Sequence, residues 1–128
     1  MEIDISRTDL EILTILWETG KPLTRAEITQ RSEFSKYNSV GIRLAHMLES
    51  GVLQVADYVK TRTNIARSYV PAFTYEEYAA AVITQPKKTP SLKLGGLLSA
   101  LIDTVDISEE TIAELEAIIQ RLKEKAEE

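Results

Sequence analysis

Residues 23–53 read LTRAEITQRSEFSKYNSVGIRLAHMLESGVL, and their spacing decides the fold. Thr24 is followed three residues later by Glu27, so the hydroxyl can cap the first turn of a helix while the carboxylate reaches back to the cap. Leu23 and Ile28 flank this cap as an apolar staple. The helix it opens is short, from about Arg25 to Arg31. A second helix runs from Lys36 or Ser39 to Ser50, with Val40, Leu44, Met47 and Leu48 at helical spacing on one face. Gly51 suits a left-handed C-cap, with Val52 and Leu48 as the apolar contact. Gly41 sits inside this helix and weakens it by ~1 kcal/mol relative to alanine. Two such helices joined by a short turn form a helix-turn-helix.

The same grammar extends to either side. Ser6 pairs with Asp9 and Thr74 with Glu77, stapled by Ile5 with Leu10 and Phe73 with Tyr78. Ser108 carries the staple Ile107 with Ile112, and Glu109 and Glu110 favour the dipole of the first turn. A helix from about Arg7 to Thr19 presents Leu10, Leu13, Ile15, Leu16 and Trp17, then ends at Gly20 and Pro22. After Gly51 the period falls to two. Leu53, Val55 and Val59 share one face, with Asp57 the exception. Lys60-Thr61-Arg62-Thr63-Asn64 is polar and turn-like, and Ile65 to Val70 is again β-compatible until Pro71.

Three helices followed by a hairpin with a basic tip is the order of a winged helix-turn-helix. The expected fold is therefore mainly α. A DNA-binding winged helix (three helices plus a β-hairpin wing) spans residues 1–73, and a helical dimerisation region spans 74–128. Helices are expected from about Tyr75 to Thr84, Leu92 to Val105 and Glu109 to Lys125, with a linker over Gln85 to Pro90. Leu97, Leu98 and Leu101 fall on one of the last two helices, and Ile112, Leu115, Ile118, Ile119 and Leu122 on the other. Two apolar-faced helices with few local partners cannot bury their faces alone, so a second copy of the chain is the expected cover.

Composition narrows the function. The 128 residues are 44% hydrophobic and 27% charged, an ordinary globular balance. The chain has no cysteine and a single histidine, His46, which excludes disulfides, thiolate metal sites and imidazole clusters. No metal or cofactor is expected. Glu109 and Glu110 are explained by capping, and no Gly-rich phosphate loop is present, so the chain does not read as an enzyme. No apolar run approaches the roughly 18 residues of a membrane span. The start, Met1-Glu2-Ile3-Asp4, lacks the basic and apolar regions of a signal peptide, so a cytoplasmic location is expected.

Up to Tyr75 nine basic side chains balance nine acidic ones; beyond it six face eleven, so the whole acidic surplus of five lies in the C-terminal part. Between Arg31 and Arg67, six basic residues stand against three acidic ones. On a helical wheel Ser39, Ile42 and His46 lie opposite the apolar face of the 36–50 helix, with Arg43 at the edge and Asn38 at the N-terminal end. Arg43 suits guanine O6 and N7, Ile42 suits thymine methyls, and Ser39 suits bases or phosphate. Lys60, Arg62 and Arg67 on the hairpin suit the phosphate backbone. Each has a plainer reading: Arg43 as a surface ion pair, His46 as an ordinary surface residue, the hairpin cations as a solvated loop, Ile42 as packing on the preceding helix. Tyr58, Tyr69, Tyr75 and Tyr78 read as packing residues.

Asp9-Leu10-Glu11-Ile12-Leu13 through Leu16-Trp17, the stretches Leu23 to Ile28, Ser39 to Leu44 and Leu48 to Leu53, then Arg67-Ser68-Tyr69-Val70-Pro71 with Glu76-Glu77-Tyr78, and Ile107-Ser108-Glu109-Glu110 occur in an order that resembles the penicillinase-repressor family. That family includes the bacterial methicillin-resistance and copper-transport repressors. The resemblance implies a homodimeric repressor of an inverted-repeat operator in double-stranded DNA. His46 stands where the family usually has a basic residue, and the hairpin is longer than usual. The cysteine motif of the copper-responsive members is absent. Ala100-Leu101 stands where antibiotic-responsive members are cut. The rival reading is a winged-helix adaptor that binds proteins and not DNA; the net charge of −5 favours it, and the basic stretch opposes it.

Overall fold

The computed structural model describes residues 4–33 and 35–128. The acidic start read at residues 1–3 lies outside the described residues. In α1 (Arg7–Thr19) the Asp9 N–H donates to Ser6 Oγ at 3.1 Å and the Ser6 N–H donates to the Asp9 carboxylate at 3.2 Å. The same reciprocal pair opens α2 (Arg25–Arg31) through Thr24 and Glu27, and α4 (Tyr75–Ile83) through Thr74 and Glu77. Each cap satisfies two backbone N–H groups at once and so fixes where its helix begins. Gly20 ends α1 in the left-handed region at φ 71°. α3 (Tyr37–Glu49) closes at Gly51, φ 82°, where the Gly51 and Val52 N–H groups donate to the Leu48 and Met47 carbonyls at 3.2 and 2.9 Å. That is a Schellman closure, with Leu48 and Val52 packed beside the core.

The wing is the hairpin β2 (Leu53–Lys60) and β3 (Ile65–Pro71). A two-residue strand that sequence reading missed, β1 (Leu23–Thr24), joins it to give an antiparallel sheet in the order β1-β3-β2. Two residues are too short to carry a period-2 signal. The register also corrects one expectation. Val55 pairs with Tyr69 and Asp57 with Ser68, leaving Ala56 as an extra residue. This bulge reverses the alternation, so Tyr58, paired with Arg67, follows Val55 on its face. Val59 lies with Asp57 on the opposite face and is exposed. Asp57 is thus no exception in a regular strand; the strand itself changes phase.

The core gathers Ile12, Leu13 and Leu16 of α1, Leu23 of β1, Ile28 of α2, Val40, Leu44 and Met47 of α3, Leu53 of β2 and Tyr69 of β3. Trp17, at its edge, places its ring 5.3 and 5.6 Å from those of Tyr75 and Tyr78. Its Nε1–H donates to the Phe73 carbonyl oxygen at 3.0 Å. These interactions attach α4 to α1, and the first compact unit therefore runs to Pro90, beyond the expected boundary at residue 73. Tyr69 is buried and Tyr78 half-buried; Tyr75 touches the Trp17 ring but is largely exposed, and Tyr58 is exposed as well.

The second unit, Ser91–Glu128, holds α5 (Leu94–Thr104) and α6 (Glu109–Ala126). Ser108 caps α6 by accepting from the Thr111 N–H at 3.1 Å. No side chain of this unit is buried. Leu97 and Leu115 are half-buried, while Leu98, Leu101, Ile112, Ile118, Ile119 and Leu122 are exposed. No helix among the described residues is long and apolar enough to cross a membrane.

Gly51 supplies a testable element of this fold. A side chain there is strained by the positive φ, so Gly51→Ala is expected to cost about 1–2 kcal/mol in denaturant unfolding. A loss indistinguishable from zero would show that the α3 closure does not need the left-handed turn.

Candidate nucleic-acid interface

α3 is held at both flanks and along its inner face, and this leaves one face free. Val40, Leu44 and Met47 are buried against the core. On one flank Arg43 reaches α1, where its Nε and Nη2 donate to the two carboxylate oxygens of Asp9, each at 2.7 Å. The Asp9 side chain is 5% exposed and that of Arg43 28%. Burial raises the Asp9 carboxyl, but the Arg43 bonds and those from Ser6 outweigh it, so Asp9 titrates below its ordinary 3.8. Glu11, on the same helix, accepts from the hydroxyls of Ser32 and Ser35, the latter at 3.1 Å. Two carboxylates of α1 thus secure the flank of α3 and the turn between α2 and α3.

On the other flank the Arg25 side chain lies over α3. Its Nε–H donates to the Tyr37 carbonyl oxygen at 2.9 Å, and its guanidinium carbon is 3.7 Å from the Tyr37 ring centre. A methyl group at Gly41 would overlap this guanidinium. Sequence reading missed Arg25 and Tyr37. The signal available was the glycine itself, whose cost to the helix needed a reason.

Between these flanks Asn38, Ser39, Ile42 and His46 are all exposed, Ile42 at 68%. Ala45 and Glu49 complete the face. Ile42 therefore does not serve as packing on α2. The structure brings four of the five expected α3 residues onto one open face and turns the fifth, Arg43, into the flanking ion pair.

The wing tip is closed by Thr61 and Asn64, whose backbone and side-chain bonds to each other measure 2.7 to 3.1 Å. Lys60 and Arg62 are exposed there, and no acidic residue occurs from Tyr58 to Tyr75. Arg67 sits farther from the tip, paired across the hairpin with Tyr58, its guanidinium carbon 5.8 Å from the Tyr69 ring centre. Among the described residues no group of three or more His, Cys, Asp or Glu could hold a metal ion.

A family model described as penicillinase repressor matches residues 5–121. Among solved structures, the crystal structure of Bacillus subtilis PadR in complex with operator DNA is similar, with 16% identity and a TM-score of 0.47 over 91% of this chain and 68% of that one. No curated protein matches.

The Asp9–Arg43 pair makes a stability prediction. Arg43→Ala leaves a buried carboxylate with only the Ser6 donors and is expected to cost about 2–3 kcal/mol. Asp9→Ala with Arg43→Ala should cost less than the sum of the two single changes, measured by denaturant unfolding. The Asp9 pKa is lowered by folding, so the stability it contributes is whole above about pH 4 and drains away as pH falls below that. Strict additivity in the cycle would show that the pair contributes nothing.

Proposed function

This chain belongs to the penicillinase repressor family, and from that premise we propose that it is a homodimeric transcriptional repressor that binds an inverted-repeat operator in double-stranded DNA. The observation that carries the reading is the open face of α3, where an isoleucine 68% exposed stands among Asn38, Ser39 and His46 on a helix anchored at both flanks. An apolar side chain on a solvated surface gains nothing from water. In a major groove Ile42 meets thymine methyls, while Asn38 and Ser39 bond base edges or phosphate. His46 extends the face by about two turns from Asn38. Arg43 is assigned a supporting role: it sets the angle of α3 through Asp9 and does not read bases.

Lys60 and Arg62 act from the wing as phosphate ligands that position the protein without reading sequence, with Arg67 behind them. The apolar faces of α5 and α6 form the dimer seam, through Leu97, Leu98, Leu101, Ile112, Leu115, Ile118, Ile119 and Leu122. Unburied in one chain, they find cover in a second copy. The protein acts in the cytoplasm and needs no cofactor for DNA binding.

Selection from a random duplex library, followed by titration over a range of salt, tests this reading. The selected sites are expected to be inverted repeats with half-sites about one helical turn apart, or a multiple of it. His46→Ala and Ile42→Ala should change base preference and leave the salt dependence alone. Lys60→Ala and Arg62→Ala should each make the slope of log K against log salt shallower by about 0.9 for every phosphate left unneutralised, and leave base preference alone. A wild-type protein that binds no duplex at low salt would favour the protein-binding adaptor.

A further inference from the structure

Arg25 is the first residue of α2, yet its side chain is built into α3. Three features of the sequence converge on it. The Tyr37 carbonyl fixes its Nε, the Tyr37 ring lies against its guanidinium face, and Gly41 leaves the space the guanidinium occupies. Gly41 is not needed for the backbone, because the glycines with positive φ are Gly20 and Gly51. Glycine weakens a helix interior relative to alanine. The nearest atoms to a methyl group at position 41 are those of the Arg25 guanidinium.

Such a seat orients the guanidinium while leaving most of its donors available. Only Nε is bonded; both Nη nitrogens lack a partner among the described residues. A planar guanidinium, held by stacking with its outer edge unpaired, matches the two oxygens of a phosphodiester. Its position selects backbone over base. Tyr37 and Gly41 lie to one side of the open face made by Asn38, Ile42 and His46, at the N-terminal shoulder of the helix. A helix lying in the major groove has phosphates beside its flanks and bases before its face, and the preceding helix crosses the backbone.

We infer that Arg25, seated on Tyr37 and Gly41, is a phosphodiester clamp that fixes the register of α3 on duplex DNA. The inference rests on the DNA-binding reading above and adds a residue, a ligand group and a reason for Gly41. The stacking removes rotamers that a free arginine loses on binding, so the clamp closes at a lower entropic cost.

Fluorescence-anisotropy titration of the full chain on a random-sequence duplex, across a range of salt, tests it alongside denaturant unfolding of the same variants. Arg25→Ala is expected to make the log–log salt slope shallower by about 0.9 for each phosphate released, or about tenfold in affinity per phosphate at 0.1 M salt. Arg25→Lys keeps the charge and loses the planar face, so it should restore the slope and only part of the affinity. Gly41→Ala displaces the guanidinium; it should weaken binding to every duplex without lowering the unfolding midpoint, a combination that a purely structural role for Arg25 does not produce. This variant, expected to keep its fold, decides the matter even if Arg25→Ala does not fold. Wild-type binding with slope and affinity unchanged in Arg25→Ala and Gly41→Ala overturns the clamp and leaves the DNA-binding reading intact. No wild-type binding at low salt overturns both.

Discussion

One carboxylate holds two helices in their working relation. Asp9 completes the N-terminal cap of α1 with Ser6 and receives both Arg43 donors from α3. A buried aspartate carries a desolvation cost, and these polar groups cannot be separated without leaving that charge unpaired. The consequence is geometric. The cap fixes where α1 begins, the ion pair fixes the flank α3 turns toward α1, and the core residues Val40, Leu44 and Met47 fix its depth. With its rotation set, the helix has a single face left to present. Glu11 extends the same logic to the α2–α3 turn through Ser32 and Ser35. α1 is thus a scaffold whose Asp9 and Glu11 are engaged by neighbouring elements and not offered to phosphate.

That arrangement bears on the charge of the molecule. A net charge of −5 is unfavourable for a DNA-binding protein if spread evenly, but the acidic surplus lies beyond Tyr75. Acids of the first unit are also engaged locally: Asp9 by Arg43, and Glu27 by the Thr24 N–H at 3.0 Å, which keeps its carboxyl below the ordinary range. The wing tip carries Lys60 and Arg62, and no acid follows Asp57 until Glu76. Charges farther than about 10 Å are screened at ordinary salt, so binding answers to the local balance of charge and not to the net charge of the chain.

The helices were legible in the sequence because their ends are written in short-range chemistry. Ser6, Thr24 and Thr74, each with its acid three residues on, and Gly20 and Gly51 at helix ends act within one turn, and the observed bounds follow them closely. The rest depended on partners remote in sequence. Arg43 meets Asp9 across 34 residues, and on a wheel its position at the edge of the open face suits a base contact as well as an ion pair. The bulge at Ala56 exists only relative to β3, so a strand read alone put Val59 on the wrong face. β1 is a strand because β3 pairs with it. Arg25 could not be found from periodicity, since it belongs to one helix and works on another. Of the candidate site, the open residues Asn38, Ser39, Ile42 and His46 were legible because exposure opposite an apolar stripe is a local property.

The surface proposed to meet DNA is the face of α3 bounded by Arg25 and Arg43, together with the wing tip. Backbone amide chemical-shift mapping of the full chain, titrated with duplex DNA at low salt, tests this most directly. The expected result is a set of perturbations concentrated at residues 38, 39, 42 and 46 and at 60–64, with α6 unmoved. Perturbations concentrated on α6, or absent from α3, would contradict it.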